Sequence, residues 1–371
     1  MELKYYIIRR LLVLIPTLLG LVLITFILMN AMPHSFLIEQ FINRHSTVPV
    51  GGPSPGYPYG KPGTQWYSAV MTLGLNYPTP VQFLIYVNNL IHGNWGFMYP
   101  NSNGGSYYTG PVLAGILQYF PLTLEIAMFA IIFSIIVAIP IGTYIGSKPN
   151  SVSDQVGRVF SLSGYAMPIF FLALVLQIIV NPYFPKYITG QGYPVTQKIW
   201  WIQTISGTKV STPTHMLVID SLLHGDFSLA ATAFGHLILP IIAVSYGLLA
   251  GLLRFIRAGM VDASNQEYVK TARAKGVPEK QVLRKHIRKN ALLPSITVFG
   301  LVFSSLLGGV VVVEDVYDLN GLGRFTLSTV QNGYIQFFGV LGTTLFFGIV
   351  LVLANLIVDV VYALMDPRIR Y

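Results

Sequence analysis

Cysteine is absent from all 371 residues, so the chain can build no disulfide framework, thiol nucleophile or zinc–thiolate centre. Charge is scarce as well. Only 10% of the residues are Asp, Glu, Lys or Arg, against roughly 25% in a soluble domain. With 53% hydrophobic residues, so little charge cannot supply a water-facing surface. The seven histidines are scattered, and no pair has metal-ligand spacing on one helix. No Ser-His-Asp or paired-carboxylate spacing points to an embedded hydrolase. A phosphate-cradling loop is missing too. The run Gly142-Thr143-Tyr144-Ile145-Gly146-Ser147-Lys148 echoes one but lacks the Gly-x-x-x-x-Gly-Lys-Ser/Thr order. It closes an apolar run, where small residues serve helix packing.

What is present is long apolar runs. Six stand out, near Ile7–Met32, Tyr119–Gly146, Val159–Val180, Ala230–Phe255, Pro294–Val313 and Phe337–Leu364, each close to or above the roughly 20 residues a helix needs to cross a bilayer. They predict an all-α, six-span membrane protein with long extracytoplasmic insertions. The first run exceeds a signal-peptide core of roughly 7–15 residues and is followed by no small-x-small cleavage site, so it reads as an uncleaved span. The formal charge of +9 would suit a nucleic-acid binder only if the basic residues formed one face; here they flank apolar runs. Placing both termini in the cytoplasm puts 17 of the 23 lysines and arginines inside, as the positive-inside rule requires.

The chain therefore divides into a cytoplasmic N-terminus with the first span (1–32), an extracytoplasmic segment (33–118), two spans (119–182), a second extracytoplasmic segment (183–229), and three spans with a cytoplasmic loop (230–371). Segment 33–118 is rich in glycine, proline and aromatics, above all over Gly51–Gly60, which predicts turns and extended chain in place of helix. Either a cap resting on the bilayer or a platform for an external partner fits both outer segments.

The most informative stretch is Arg254–Pro294, with ten cations against Asp262, Glu267 and Glu279. Residues Asp262–Lys275 are good helix formers, and Gly276 suits a left-handed cap. Pro278 fits the first turn of a second helix. On that helix Leu283, Ile287 and Ala291 recur at a spacing of four, giving a narrow apolar ridge with basic flanks. Anchorage on anionic lipid heads and docking of a cytoplasmic protein both fit this pattern.

The run Glu267-Tyr268-Val269-Lys270-Thr271-Ala272-Arg273-Ala274-Lys275-Gly276 resembles the cytoplasmic loop of ABC-importer permeases. Its continuation through His286, Arg288-Lys289-Asn290 and Leu293-Pro294 is similar to the dipeptide/oligopeptide permeases in particular. So are Arg9-Arg10, Gly93-Asn94-Trp95-Gly96, Pro121-Leu122-Thr123-Leu124-Glu125, Gly308-Gly309 with Glu314, Asn355-Leu356-Ile357-Val358-Asp359 and Asp366-Pro367-Arg368. Three departures stand out. Lys270 occupies the place of the motif's glutamate, with Glu267 a displaced counterpart, Asn320 replaces a proline before Gly321-Leu322-Gly323, and the outer insertions at 34–92 and 183–232, where the resemblance lapses, look longer than is usual in the family.

The resemblance implies a non-catalytic multi-pass subunit of the plasma membrane. It would be paired with a second permease, one or two cytoplasmic ATPase subunits and an external substrate-binding protein. ATP and magnesium would belong to the ATPases, and this chain would hold no cofactor. Di- or oligopeptides are the implied cargo; oligosaccharides are the alternative, and an ion-coupled secondary transporter is the rival class. On this reading the coupling loop, 259–293, presents Glu267, Tyr268, Thr271, Ala272, Ala274, Lys275, Gly276, Val277 and His286 to the ATPase. Three acids stand apart as path-lining or structural groups, since intramembrane carboxylates are expensive: Glu125, Glu314 and Asp359. Glu314, with Asp315 and Asp318, reads either as a lure for a peptide ammonium or as a solvated acid. Asp359 shares a helical face with Asn355, which suggests a hydrogen-bond network.

Overall fold

The computed structural model describes residues 3–42, 46–99, 108–180, 183, 203–205, 208–210, 214–292, 308–330 and 335–365. The chain forms two compact units, one of 12–120 with 322–352, the other of 1–11, 121–321 and 353–371.

The first unit takes in α1 (Leu3–Asn30) from residue 12 onward, an apolar helix that tolerates Pro16. Three shorter helices follow: α2 (His34–Glu39), α3 (Gln65–Leu73) and α4 (Thr79–Ile91). Segment 33–118 is thus not the helix-free stretch its composition predicts. The glycines and prolines concentrate over 49–63, and several of those beyond sit at helix edges. Thr64 caps α3 by accepting from the Tyr67 N–H, and Gly74 (φ 68°) ends that helix in the left-handed conformation that glycine alone adopts freely. Pro78 precedes α4 and Pro80 lies in its first turn, where a missing N–H costs nothing. A two-residue antiparallel ribbon pairs β1 (Phe97–Met98) with β2 (Gly110–Pro111). The core gathers Phe26, Met29, Tyr119, Phe325 and Phe338, with Tyr119 stacked on Phe325 at 5.2 Å.

The second unit is organised by a long helix that is buried on nearly every side. It opens with most of α5 (Val112–Ser147). Next comes α6 (Val152–Ala166), capped by Ser151, and then α7 (Ile169–Val180). The third expected span is not one straight helix: it is broken at Met167–Pro168 and bent by 108°. Proline drives the residue before it out of the α region, and Met167 stands at φ −87°, ψ 120°. The hairpin β3 (Gln203–Ile205) and β4 (Thr208–Val210) precedes α8 (Leu217–Leu223). Then α9 (Phe227–Ser264) begins at Asp226, whose side chain accepts from the Leu229 N–H. Its core window is 78% buried, and α6, α7 and α8 all pack on it.

Small residues make this packing close. A Cβ on Gly142 would meet Ile256 at 2.8 Å and one on Gly146 would meet Met260 at 2.6 Å, so the pseudo-phosphate loop is a helix-packing surface. The buried face of α6 is Asp154, Gly157, Ser161 and Gly164, a 3-4-3 spacing that places all four on one side. That polar and small face explains why hydropathy misses the start of α6 at Val152.

After α9 come α10 (Glu267–Ala274) and α11 (Glu279–Gln281, continuing as a π turn over Val282–Ile287). Residues 308–316 are helical and are designated α12. The last elements are α13 (Leu322–Ser328) and α14 (Phe337–Met365). Among the described residues, four helices are long and apolar enough to cross a membrane, or five if the bent α6–α7 pair is one span. Most of the expected fifth span, at 293–307, lies outside the described residues. With 36 and 38 residues, α5 and α9 reach about 54 and 57 Å at 1.5 Å per residue, well beyond a bilayer core.

Candidate functional site: the basic loop after α9

The loop grows directly out of the central helix. Residues expected to start a separate helix at Asp262 instead finish α9, which ends at Ser264. The break is two residues long: Asn265 caps α9, and Gln266 turns extended before Glu267 opens α10.

The end of α10 is a complete Schellman cap. Gly276 sits at φ 75°, its N–H donates to the Arg273 carbonyl at 2.9 Å, and the Val277 N–H reaches back to the Ala272 carbonyl at 3.2 Å. These are the two bonds that satisfy a helix's last carbonyls. Across the turn, Arg273 Nε donates to Glu279 Oε2 at 3.1 Å and Nη2 to Oε1 at 2.7 Å. This bidentate clasp holds the Glu279 carboxyl below its ordinary titration range through the hydrogen bond from Arg273. Pro278 lies one place earlier than expected, as the residue preceding α11 at ψ 138°.

The apolar ridge does not face outward. Val282, Ile287 and Ala291 are buried together with Val269 and Ala272, packed into the core that holds Met260 and Ala263. The π turn widens the spacing between Val282 and Ile287 to five, so Val282 takes the inner place expected of Leu283, which is only half-buried. Beneath this packing, Gly259 of α9 lies against Ala291, whose carbonyl oxygen a Cβ would approach to 2.5 Å. The loop is therefore seated on the end of α9 by its apolar side.

Of the residues expected to meet the ATPase, Glu267, Tyr268, Thr271, Ala274, Lys275 and Gly276 are exposed, and Val277 and His286 are half-buried. Ala272 is the correction. It is 6% exposed and belongs to the inward face, because Val269 and Ala272 are three residues apart on the side of α10 that meets the core. The Glu267–Lys270 pair at 2.8 Å is solvent-exposed on both sides, so it contributes little. Tyr268 is the large exposed aromatic of the outward face.

The three acids are all engaged. Glu125 is buried, and its Oε1 accepts the N–H groups of Val218 and Ile219 at 3.0 and 3.1 Å, so it caps the start of α8. Glu314 is a buried carboxylate and not a solvated one: Thr123 Oγ1 donates to it at 2.5 Å, and Gly321 folds over it so closely that any Cβ would collide with the carboxylate. Asp315 is exposed, and Asp318 is half-buried in the left-handed region at φ 57°. Asp359 pairs with Arg10 at 3.1 Å, a partner nearly 350 residues distant in sequence that shared-face reasoning within one helix had no means of finding.

Sequence reasoning passed over the most buried ion pair among the described residues. Asp154 is fully buried and receives Nε and Nη2 of Arg257 (the Nη2 contact is 2.9 Å). Arg158 lies at 3.4 Å, and the N–H of Asn150 donates to the same carboxylate at 2.9 Å. It ties α6 to α9 two turns before the loop. The only local signal is an acid in a first helical turn, four residues before an arginine.

A long buried apolar helix that ends in a basic, structured loop with an exposed outer face defines the class of a polytopic membrane protein. Comparison with known proteins gives that class its family. The model of the binding-protein-dependent transport system inner membrane component matches residues 138–371, and the chain belongs to this family. Over its near-full length it is similar to the oligopeptide transport system permease protein AppB of Bacillus subtilis, at 31% identity with 99% of each chain covered. It is also similar to the dipeptide transport system permease proteins DppB of Alkalihalophilus pseudofirmus (30%, 99% of each chain) and Escherichia coli (30%, 99% of this chain and 98% of the relative). The similarity thus extends beyond the blocks that carried the sequence resemblance.

Proposed function

We propose that this chain is a membrane permease subunit of an ATP-driven importer and forms, with a second permease, the path for di- or oligopeptides handed over by an external binding protein. Family membership and the peptide-permease relatives support the transport class and the cargo. The observation that carries the coupling role is the loop itself: α10, its Schellman turn and α11 form one clasped body seated on the end of α9. A partner that moves this body moves the central helix with it, because packed elements shift as rigid pieces.

On this reading both termini are cytoplasmic, and one or two separate ATPase chains bind ATP and magnesium. The exposed residues Glu267, Tyr268, Thr271, Ala274, Lys275 and Gly276 form the face that seats in an ATPase groove, with Val277 and His286 at its edge. Reconstitution of the subunit with its second permease, ATPases and binding protein tests the proposal. Tyr268→Ala should weaken co-purification of the ATPase by roughly tenfold or more, as loss of an interface aromatic does, while insertion is preserved. Uptake of labelled oligopeptides with undiminished ATPase association in Tyr268→Ala and Ala274→Arg would refute the docking face. Uptake of oligosaccharides in place of peptides would refute the cargo.

A further inference from the structure

We infer that the outward face of α4 is seated in the lipid of the bilayer, at the boundary between acyl chains and headgroups. The argument begins with what α4 touches. It packs on the end of α1 distant from Arg9-Arg10: Phe83 and Tyr86 lie 5.3 and 5.8 Å from Phe26, ring to ring. The Tyr86 hydroxyl donates to Thr25 Oγ1 at 3.2 Å, and Asn30 Nδ2 donates to Gln82 Oε1 at 3.0 Å. Those partners, Thr25 to Asn30, are the last six residues of the apolar span Ile8–Asn30. A span of 23 residues reaches about 34 Å, little more than the hydrocarbon core of roughly 30 Å. Whatever packs against its last turns is held at the depth of that boundary. At the same level Ile24, Ile27 and Leu28 of α1 are exposed, as the lipid-facing side of a span would be, so α4 lies beside an apolar surface of the same depth.

The far side of α4 matches that environment. Tyr77, Val81, Leu84, Asn88 and Ile91 recur at spacings of four and three and are all exposed, Leu84 at 65% and Ile91 at 77%. With 13 residues, α4 is too short to cross a bilayer but suits a helix lying in the interface, its apolar face a few ångströms deep. Tyr77, just before the helix, and the single amide Asn88 suit the headgroup border. Charge decides between lipid and a water-borne protein partner. No Asp, Glu, Lys or Arg occurs between Lys61 and Glu125, so the helix and the chain on either side of it supply no ionic rim to this face. A face that meets a protein from water has a polar, solvent-tolerant rim, and it must stay soluble between encounters.

The absence of native cysteine makes the test direct. Nitroxide labels at Leu84→Cys and Ile91→Cys are compared with Leu19→Cys in α1 and Lys280→Cys in the exposed basic loop, using the full chain in lipid nanodiscs. Collision with a water-soluble nickel chelate at positions 84 and 91 should be roughly tenfold lower than at 280, with oxygen collision close to that at 19, as interfacial burial of an apolar face requires. Nickel accessibility at 84 and 91 equal to that at 280 would overturn the inference. So would protection that arises only when the second permease or binding protein is added, since the occupant would then be protein. Nickel access at 19 would overturn the premise that α1 crosses the bilayer, an outcome separable from the placement of α4. The proposed transport function does not depend on any of these results.

Discussion

Replacing Asp154 with Asn tests whether the buried ionic centre between α6 and α9 holds the helices together. The substitution keeps volume and the acceptor oxygen but removes the charge that two guanidinium groups share. Breaking a buried pair by removing one partner costs about 3–5 kcal/mol when the other charge is stranded. Here the stranding is partial: the Arg257 side chain is 23% exposed and that of Arg158 45%, so both heads can turn to water along their stems. A discount to about 2 kcal/mol follows. For a cooperative unit of this size, that corresponds to a fall in Tm of about 4–8 °C. Thermal loss of helical circular dichroism from the detergent-purified chain provides the measurement. Arg257→Gln and the double variant complete a cycle, and the coupling between the two sites should be about 1 kcal/mol or more. A shift below about 1 °C, or strict additivity in the cycle, would refute the reasoning and reduce the cluster to a surface ion pair. Because α9 carries the loop, Asp154→Asn should also slow transport more than it weakens ATPase binding.

Further outcomes are expected from neighbouring sites. Gly259→Leu should unseat the loop, because its side chain must displace the backbone carbonyl of Ala291; about 2 kcal/mol of overpacking would register as faster proteolysis after Lys270 or Lys275. Glu125→Ala should cost about 1 kcal/mol through loss of the α8 cap, whereas Glu125→Gln, which keeps an acceptor, should be nearly neutral in Tm. If Glu125→Gln abolished peptide uptake with Tm unchanged, the carboxylate would have a role in the path beyond capping. Arg273 lowers the titration range of Glu279, so the clasp is complete above the ordinary carboxylate range, near pH 4.3 in model peptides, and fails only as pH falls through the lowered value. The clasp itself should accordingly be intact between about pH 6 and 8, and a fall in hydrogen-exchange protection of the Val277 amide within that window would contradict it. Cysteines at Ser54 and Ser264 should react with an impermeant reagent from opposite sides of the membrane, and labelling of both from outside would overturn the orientation.

How much of this was legible in the chain follows from the range of each interaction. Apolar runs are local, so α1, α5, α9 and α14 are readable from hydropathy alone, and the positive flanks predict an orientation. Local backbone chemistry is equally readable: Gly276 forms its left-handed cap because the bonds that close it lie within five residues. The exact ends are not local. The start of α6 at Val152 depends on a small, polar face that gains burial only against α9, and the 108° break at Pro168 depends on what the two halves pack against. The π turn exchanged Val282 for Leu283 on the ridge in the same way, since the residue it adds changes the spacing back from Ile287 from four to five. Ala272 and Ala274 are the same residue type two positions apart, and only packing against the π turn and the core beneath it decides that one is core and the other surface. The acids show the limit most clearly. That Glu125, Glu314 and Asp359 matter could be argued from the cost of burying charge. Their partners are backbone groups of Val218 and Ile219, the hydroxyl of Thr123 and the guanidinium of Arg10. Those partners are brought near by the fold, and no spacing along the chain encodes them.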